Sequence, residues 1–150
     1  MKRGELAMLL GEYEHGIDSK GRLAMPSKFR EELGLKFIIT KGLDGCLTVY
    51  DMNQWGKLVE KLNSLPSTSK QARAYTRFIL AGACESECDK QGRVVIPSSL
   101  RKYACLDKEV VITGVGSRAE IWDAAKWNEY NELNEENINE LAEELSGLGI

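Results

Sequence analysis

The stretch DSKGRLAMP, residues 18–26, recurs as DKQGRVVIP, residues 89–97, and this recurrence limits the fold more than any other feature of the chain. At an offset of 71 residues, Gly11 also aligns with Gly82, Glu14 with Glu85, Ser27 with Ser98, Arg30 with Arg101 and Leu35 with Leu106. One inserted residue then aligns Gly42 with Gly114, Asp51 with Asp123 and Trp55 with Trp127. Self-similarity at a fixed period marks a duplicated structural unit. The pattern predicts one repeat over residues 9–55 and a second over 81–127, joined by a helical connector over 56–80 and followed by an acidic C-terminal helix or tail over 128–150. A unit of about 45 residues cannot bury an adequate core alone. The two copies are therefore expected to complete each other in one pseudo-twofold barrel, an α+β fold that is mainly β.

Each copy has the same internal grammar. GEYEHGI alternates, with Tyr13 and Ile17 on one face and Glu12 and Glu14 on the other, the period of a half-buried strand. The second copy places Cys84 and Cys88 at those two inward positions, where cysteine acts as a small hydrophobe. Asp-x-x-Gly then predicts a turn, the aspartate bonding amides ahead of it and the glycine supplying a positive φ. RLAMP and RVVIP read as second strands, and the prolines start short helices, the first ending at Gly34. FIITK with CLTVY, and VVITG with AEIW, supply two more strands per copy. Asp51 and Asp123 then cap helices, with Tyr50 facing Trp55 and Trp122 facing Trp127 as hydrophobic staples.

The connector reads as a short amphipathic helix, GKLVEKLNSLP, broken at Pro66. A second helix follows with an apolar stripe of Ala72, Tyr75, Ile79 and Leu80. Charge is distributed unevenly. The net charge is −3, yet seven acids and no base follow Asn128, so the body up to residue 127 holds all 20 bases against sixteen of the 23 acids. A mildly basic body with an acidic tail can bind a polyanion. The connector alone carries Lys57, Lys61, Lys70, Arg73 and Arg77 against Glu60. Nothing resembles a secretion signal or a spanning helix, which predicts a cytoplasmic protein with reduced thiols. CESEC, with its Cys-x3-Cys spacing, is a poor match to paired zinc-ligand loops, so no metal or other cofactor is expected.

A duplicated fold needs its turn twice, so the recurrence of Asp and Gly follows from folding alone. Arginine after the glycine does not. Leu23 with Met25, and Val94 with Ile96, already provide a buried face, and alternation turns Arg22 and Arg93 outward, near Lys20 and Lys90 at the turn tips. A rigid turn that offers two cations suits phosphate and base edges, because guanidinium bonds guanine O6/N7 and phosphate bidentately. The rival reading is a surface turn whose arginine pairs with a local carboxylate.

The hairpin pattern D-x-x-G-R-[LV]-x-x-P followed by a short helix resembles the AbrB-type swapped-hairpin module. GEYEHGIDSKGRLAMPSKFRE, RAYTRFILAGA and DKQGRVVIPSSLRKYA, in that order, resemble the MraZ family of bacterial transcription regulators over roughly residues 9–130. The resemblance implies tandem AbrB-like units forming a double-split, swapped-hairpin barrel. It also implies a cytoplasmic, nucleoid-associated regulator that assembles as a homo-oligomeric ring on double-stranded DNA. Its sites would be direct repeats upstream of its own operon, in the division and cell-wall gene cluster. The DNA-contacting arginines of the family motif fall on Arg22 and Arg93; Lys20 and Lys90 are added from turn geometry. The leading MKRGELA departs from the family pattern, whose first residues lie near MGEY.

Two other classes of function compete. In a protein-interaction module the main partner would be another protein, engaged by Leu133, Ile138, Leu141 and Leu145 at helical spacing in the tail. For an enzyme, His15 stands on a strand with no nucleophile motif beside it, and no P-loop or dinucleotide fingerprint is present, so no catalysis is expected.

Overall fold

In a computed structural model, residues 8–150 are described, and the leading MKRGELA lies outside the described residues. The first half contains β1 (Leu9–Gly16), β2 (Arg22–Ala24), α1 (Ser27–Leu33), β3 (Phe37–Lys41), β4 (Leu47–Asp51) and α2 (Met52–Asn63). After α3 (Lys70–Ala81), the second half repeats the order with β5 (Cys84–Ser86), β6 (Arg93–Val95), α4 (Ser98–Tyr103), β7 (Glu109–Gly116), β8 (Ala119–Asp123) and α5 (Ala124–Glu135). Helix α6 (Ile138–Glu144) ends the chain with a short 3-10 turn, Ser146–Leu148.

Six strands form one antiparallel sheet in the order β1-β7-β8-β4-β3-β5, while β2 and β6 pair separately as a two-stranded ribbon. Exchanging the halves reverses the sheet order and leaves it otherwise unchanged. The first strand of each half pairs with the third strand of the other, so neither half owns a complete sheet. This is the pseudo-twofold α+β arrangement expected from the duplication, with the strand exchange that the resemblance implies. The pseudo-axis passes between Leu23 and Val94 in the ribbon and between Thr48 and Glu120 in the sheet, because both pairs face each other in register.

The core repeats as well. Leu23, Met25, Phe29 and Leu33 are buried in the first half, and Val94, Ile96, Leu100 and Ala104 occupy the equivalent positions of the second. Tyr13, Ile17, Cys84 and Cys88 pack on this core while remaining half-buried, at the inward positions that alternation predicts. All four cysteines are thiols without disulfide partners.

Register departs from the sequence alignment at one place. Hairpin pairing sets Ile39 opposite Val49 and Ile112 opposite Ile121, so Ile39 corresponds to Ile112 and Lys41, not Gly42, to Gly114. A one-residue slip would exchange the two faces of a strand, and the core enforces its own parity over the glycine match. Equivalence of Thr40 with Thr113 follows, and both are buried. Thr40 Oγ1 donates to the Ile79 carbonyl at 2.6 Å and Thr113 Oγ1 to the Gly11 carbonyl at 3.2 Å.

Both aspartate caps form: Asp51 accepts from the Gln54 amide at 2.7 Å and Asp123 from the Lys126 amide at 3.4 Å. The aromatic staples close, with ring centroids 5.9 Å apart for Tyr50 and Trp55 and 5.3 Å for Trp122 and Trp127. The amphipathic stretch that starts near Gly56 in sequence is the body of α2, which begins at its Asp51 cap. Helix α5 matches it in length and cap, so each half ends in the same kind of helix. In α3 the apolar stripe is narrower than its spacing suggests: Ile79 is buried, whereas Tyr75 is 40% exposed and Phe78 instead packs edge-on against Tyr103. The acidic tail is two helices, divided at Glu136 and Asn137, not one.

Candidate nucleic-acid interface

The ribbon is built by the two Asp-x-x-Gly-Arg turns. In the first, Gly21 N–H donates to the Asp18 carbonyl at 2.9 Å, and Asp18 Oδ1 accepts from the amides of Lys20 and Arg22, both at 2.9 Å. In the second, Gly92 N–H donates to the Asp89 carbonyl at 3.0 Å, and Asp89 Oδ1 accepts from Gln91 and Arg93, both at 2.9 Å. Gly21 and Gly92 adopt φ of 79° and 76°, a left-handed conformation that other residues adopt only with strain. Local chemistry alone makes these turns, which is why the sequence announces them.

Each aspartate uses its second oxygen on the arginine that follows. Arg22 Nε donates to Asp18 Oδ2 at 2.7 Å and Arg93 Nε to Asp89 Oδ2 at 3.0 Å. This is the carboxylate pairing that the rival reading anticipates. The arginines are not withdrawn from the surface, however: their side chains remain 32% and 31% exposed. Hydrogen bonding through the inner nitrogen fixes the guanidinium and leaves its terminal amines for an outside acceptor.

Hydrogen bonds from the Arg22 and Arg93 amides, followed by the other bonds of each turn, hold the carboxyls of Asp18 and Asp89 below the usual aspartate range. A group with a depressed folded-state pKa contributes stability that is complete above its unfolded value and is lost as pH falls through the folded one. Both turns should therefore stay intact at neutral and mildly acidic pH and loosen only in strong acid. Carbon-detected NMR titration should place both carboxyl midpoints below 3.8, their ordinary value.

The ribbon brings the two arginines together. Arg22 lies opposite Val95 and Arg93 opposite Ala24, so Arg22 and Arg93 are diagonal neighbours on one outer face, about 7–8 Å apart along the backbone. Leu23 and Val94 point the other way and are fully buried. Lys20 and Lys90 are exposed beside the turns but are not equivalent: the repeat aligns Lys20 with Gln91 and Lys90 with Ser19.

Two further cations, which turn geometry in the sequence does not reveal, complete the surface. Arg30 Nε donates to the Met25 carbonyl at 3.1 Å and Arg101 Nε to the Ile96 carbonyl at 2.9 Å. Each then crosses to the other half's turn. A Cβ on Gly92 would stand 2.9 Å from Arg30 Cζ, and one on Gly21 would stand 3.0 Å from Arg101 Cζ. A side chain at either glycine would have to displace the arginine that crosses from the other half, in addition to adopting an unfavourable φ. Both arginines sit at matched repeat positions, a signal present in the sequence whose meaning depends on the swap that brings helix and opposite turn together. Arg22, Arg93, Arg30, Arg101, Lys20 and Lys90 thus stand at or beside the two turns, against Asp18 and Asp89 within them, while Glu85 and Glu87 line the cavity next to Arg93.

The chain matches the MraZ family, described as "MraZ protein, putative antitoxin-like", twice, over residues 8–78 and 79–148. It is 56% identical over 145 residues to "Transcriptional regulator MraZ" of Caldicellulosiruptor bescii, covering 95% of this chain and 100% of that protein. It is 54% identical over 143 residues, with the same coverage, to the proteins of that name from Caldanaerobacter subterraneus subsp. tengcongensis and Clostridium tetani.

Proposed function

Because the chain belongs to the MraZ family, we propose that it is a DNA-binding regulator of transcription whose reading element is the β2–β6 ribbon. The observation that carries this is the convergence of Arg22 and Arg93, each aimed by its own turn aspartate, on one outer ribbon face. A two-stranded ribbon fits the major groove, where arginine reads guanine. Lys20 and Lys90, with Arg30 and Arg101 behind them, supply phosphate contacts that set the register.

The repeat units 9–55 and 81–127 act as one reading head, the connector 56–80 and the tail 128–150 serve assembly, and the protein works in the cytoplasm on the nucleoid. One chain makes few contacts, so affinity comes from a homo-oligomeric ring whose subunits engage successive direct repeats and raise the effective concentration of each further contact. Subunits on one face of B-form DNA require repeats spaced near one helical turn, about 10 base pairs. The sites are the promoter repeats of the chain's own operon, in the division and cell-wall gene cluster.

A footprint on the DNA upstream of the chain's own gene tests this. Protection at regularly spaced repeats supports the reading, and uniform protection of unrelated DNA overturns it. Substituting Lys20 and Lys90 by alanine should weaken specific and non-specific binding alike. The slope of log affinity against log salt should fall by about 0.9 for each phosphate contact removed. Arg30→Ala with Arg101→Ala should lower it similarly, as filter binding across a salt series would measure. A main partner that was an apolar protein surface would give affinities nearly independent of salt.

A further inference from the structure

We propose that helix α6 of one chain seats in the groove between α2 and α3 of a second copy, the contact joining neighbouring subunits head to tail. This rests on the ring reading above and names its interface.

The groove is a cavity of about 250 Å³. Its lining is mixed: Leu62, which is 5% exposed, Leu65, Pro66 and Ala72 are apolar, Asn63, Ser67 and Thr76 polar, and Arg73 and Arg77 cationic. Lys57, Lys61 and Lys70 stand on the same two helices, against a single acid, Glu60.

Helix α6 is the complement. Ile138, Leu141 and Leu145 recur at positions i, i+3 and i+7, one face of a helix, and are 56%, 36% and 42% exposed. Glu140, Glu143 and Glu144 occupy the remaining circumference, and no base follows Lys126. The apolar stripe meets the Leu62, Leu65, Pro66 and Ala72 part of the groove, and the acids flanking it meet Arg73 and Arg77. Complementary fields of this kind select a partner and its orientation.

The repeat makes the missing contact visible. In the first half α2 is followed by α3, which packs on β3 and buries Ile79 to 3% exposure. In the second half α5 is followed by α6, which packs chiefly on the turn after it and leaves its apolar face in solvent. The groove and its occupant are different surfaces of one chain, so their union is heterologous, and such contacts close into a ring when the rotation per subunit permits.

Sedimentation velocity on the full chain tests the contact. The tail reversal Glu140→Lys, Glu143→Lys, Glu144→Lys and the groove reversal Arg73→Glu, Arg77→Glu should each raise the concentration for half-assembly at least tenfold. Mixing the two reversed chains should restore assembly, because each then supplies the charge that the other expects. All substituted positions are exposed, and Leu141→Asp with Leu145→Asp provides an uncharged-to-charged disruption independent of the groove. Wild type that assembles while all three variants assemble equally well overturns the contact and leaves the ring standing. Loss of assembly in both reversed chains without rescue on mixing also overturns it. A wild type that stays monomeric at all concentrations defeats the ring and the contact together. DNA binding that fails in footprinting while the mass results hold counts against the DNA reading alone.

Discussion

Replacing Arg22 and Arg93 together by alanine is expected to reduce specific DNA affinity on the order of a hundredfold or more, each bidentate base contact contributing about 1–3 kcal/mol of discrimination. Fold and assembly should survive. Neither guanidinium has a buried role: Arg22 and Arg93 keep roughly a third of their side chains in solvent, and their backbone amides, which hold the turns, remain after truncation. The lost ion pairs are exposed surface pairs, which contribute little to stability. Non-specific binding should fall far less, because Lys20, Lys90, Arg30 and Arg101, the proposed phosphate contacts, remain. Titration of operator and scrambled DNA, with thermal melting as the control, separates the outcomes. Unchanged operator affinity in the double variant would defeat the assignment. The aspartates provide a converse check. Asp18→Ala with Asp89→Ala removes two acids from beside the arginines, yet it should weaken operator binding, because the same carboxylates accept the turn amides and aim the guanidinium groups.

Among the described glycines, Gly114→Ala should be the most destabilising methyl addition, at about 3 kcal/mol, within the range of overpacked or sterically blocked sites. Gly114 faces Gly11 across the β1–β7 pair, and a Cβ there would collide with the Leu9 carbonyl and the Leu10 amide. Those are backbone atoms of the neighbouring strand, so no rotamer change relieves the contact. Relief requires the first residues of β1 to peel away, exposing Leu9, now 2% exposed, and breaking the bond from Thr113 Oγ1 to the Gly11 carbonyl. For a chain of this length the melting temperature should drop by about 6–12 °C. Gly56→Ala is the opposite control. Gly56 lies inside α2 with nothing within 4 Å of its would-be Cβ, so the substitution should stabilise by about 0.5–1 kcal/mol. A Gly114→Ala protein that melts with wild type would show that β1 does not pair across this point.

Much of the fold is legible in the residues because its determinants are local. Asp18 and Asp89 form their turns with amides two and four residues ahead, Asp51 and Asp123 cap the helices that follow, and Tyr50 and Trp122 staple them. Alternation correctly divides Leu23 from Arg22 and Val94 from Arg93. Where a helical stripe depends on what lies across from it, periodicity misleads. Tyr75 has the right spacing for burial but meets solvent, while Phe78 is held by Tyr103 from the other half.

The site follows the same division. Two arginines stand out because no folding requirement explains them, whereas Arg30 and Arg101 carry no such mark. Their place at the turns comes from the exchange of strands between halves, which sets each helix arginine over the opposite glycine. Likewise the aligned glycines, Gly42 and Gly114, are not equivalent in space, since packing parity in β3 and β7 overrides residue identity.

Consecutive residues are enough to specify a duplicated unit with two rigid Asp-x-x-Gly-Arg corners, because turn and cap hydrogen bonds reach only a few residues. Only folding sets the two corner arginines on one face, about 7–8 Å apart, backs each corner with an arginine from the other half, and leaves the apolar face of α6 exposed. Those facts depend on pairing between strands 45 to 107 residues apart, where the closing of a common core, and no local preference, selects the partner.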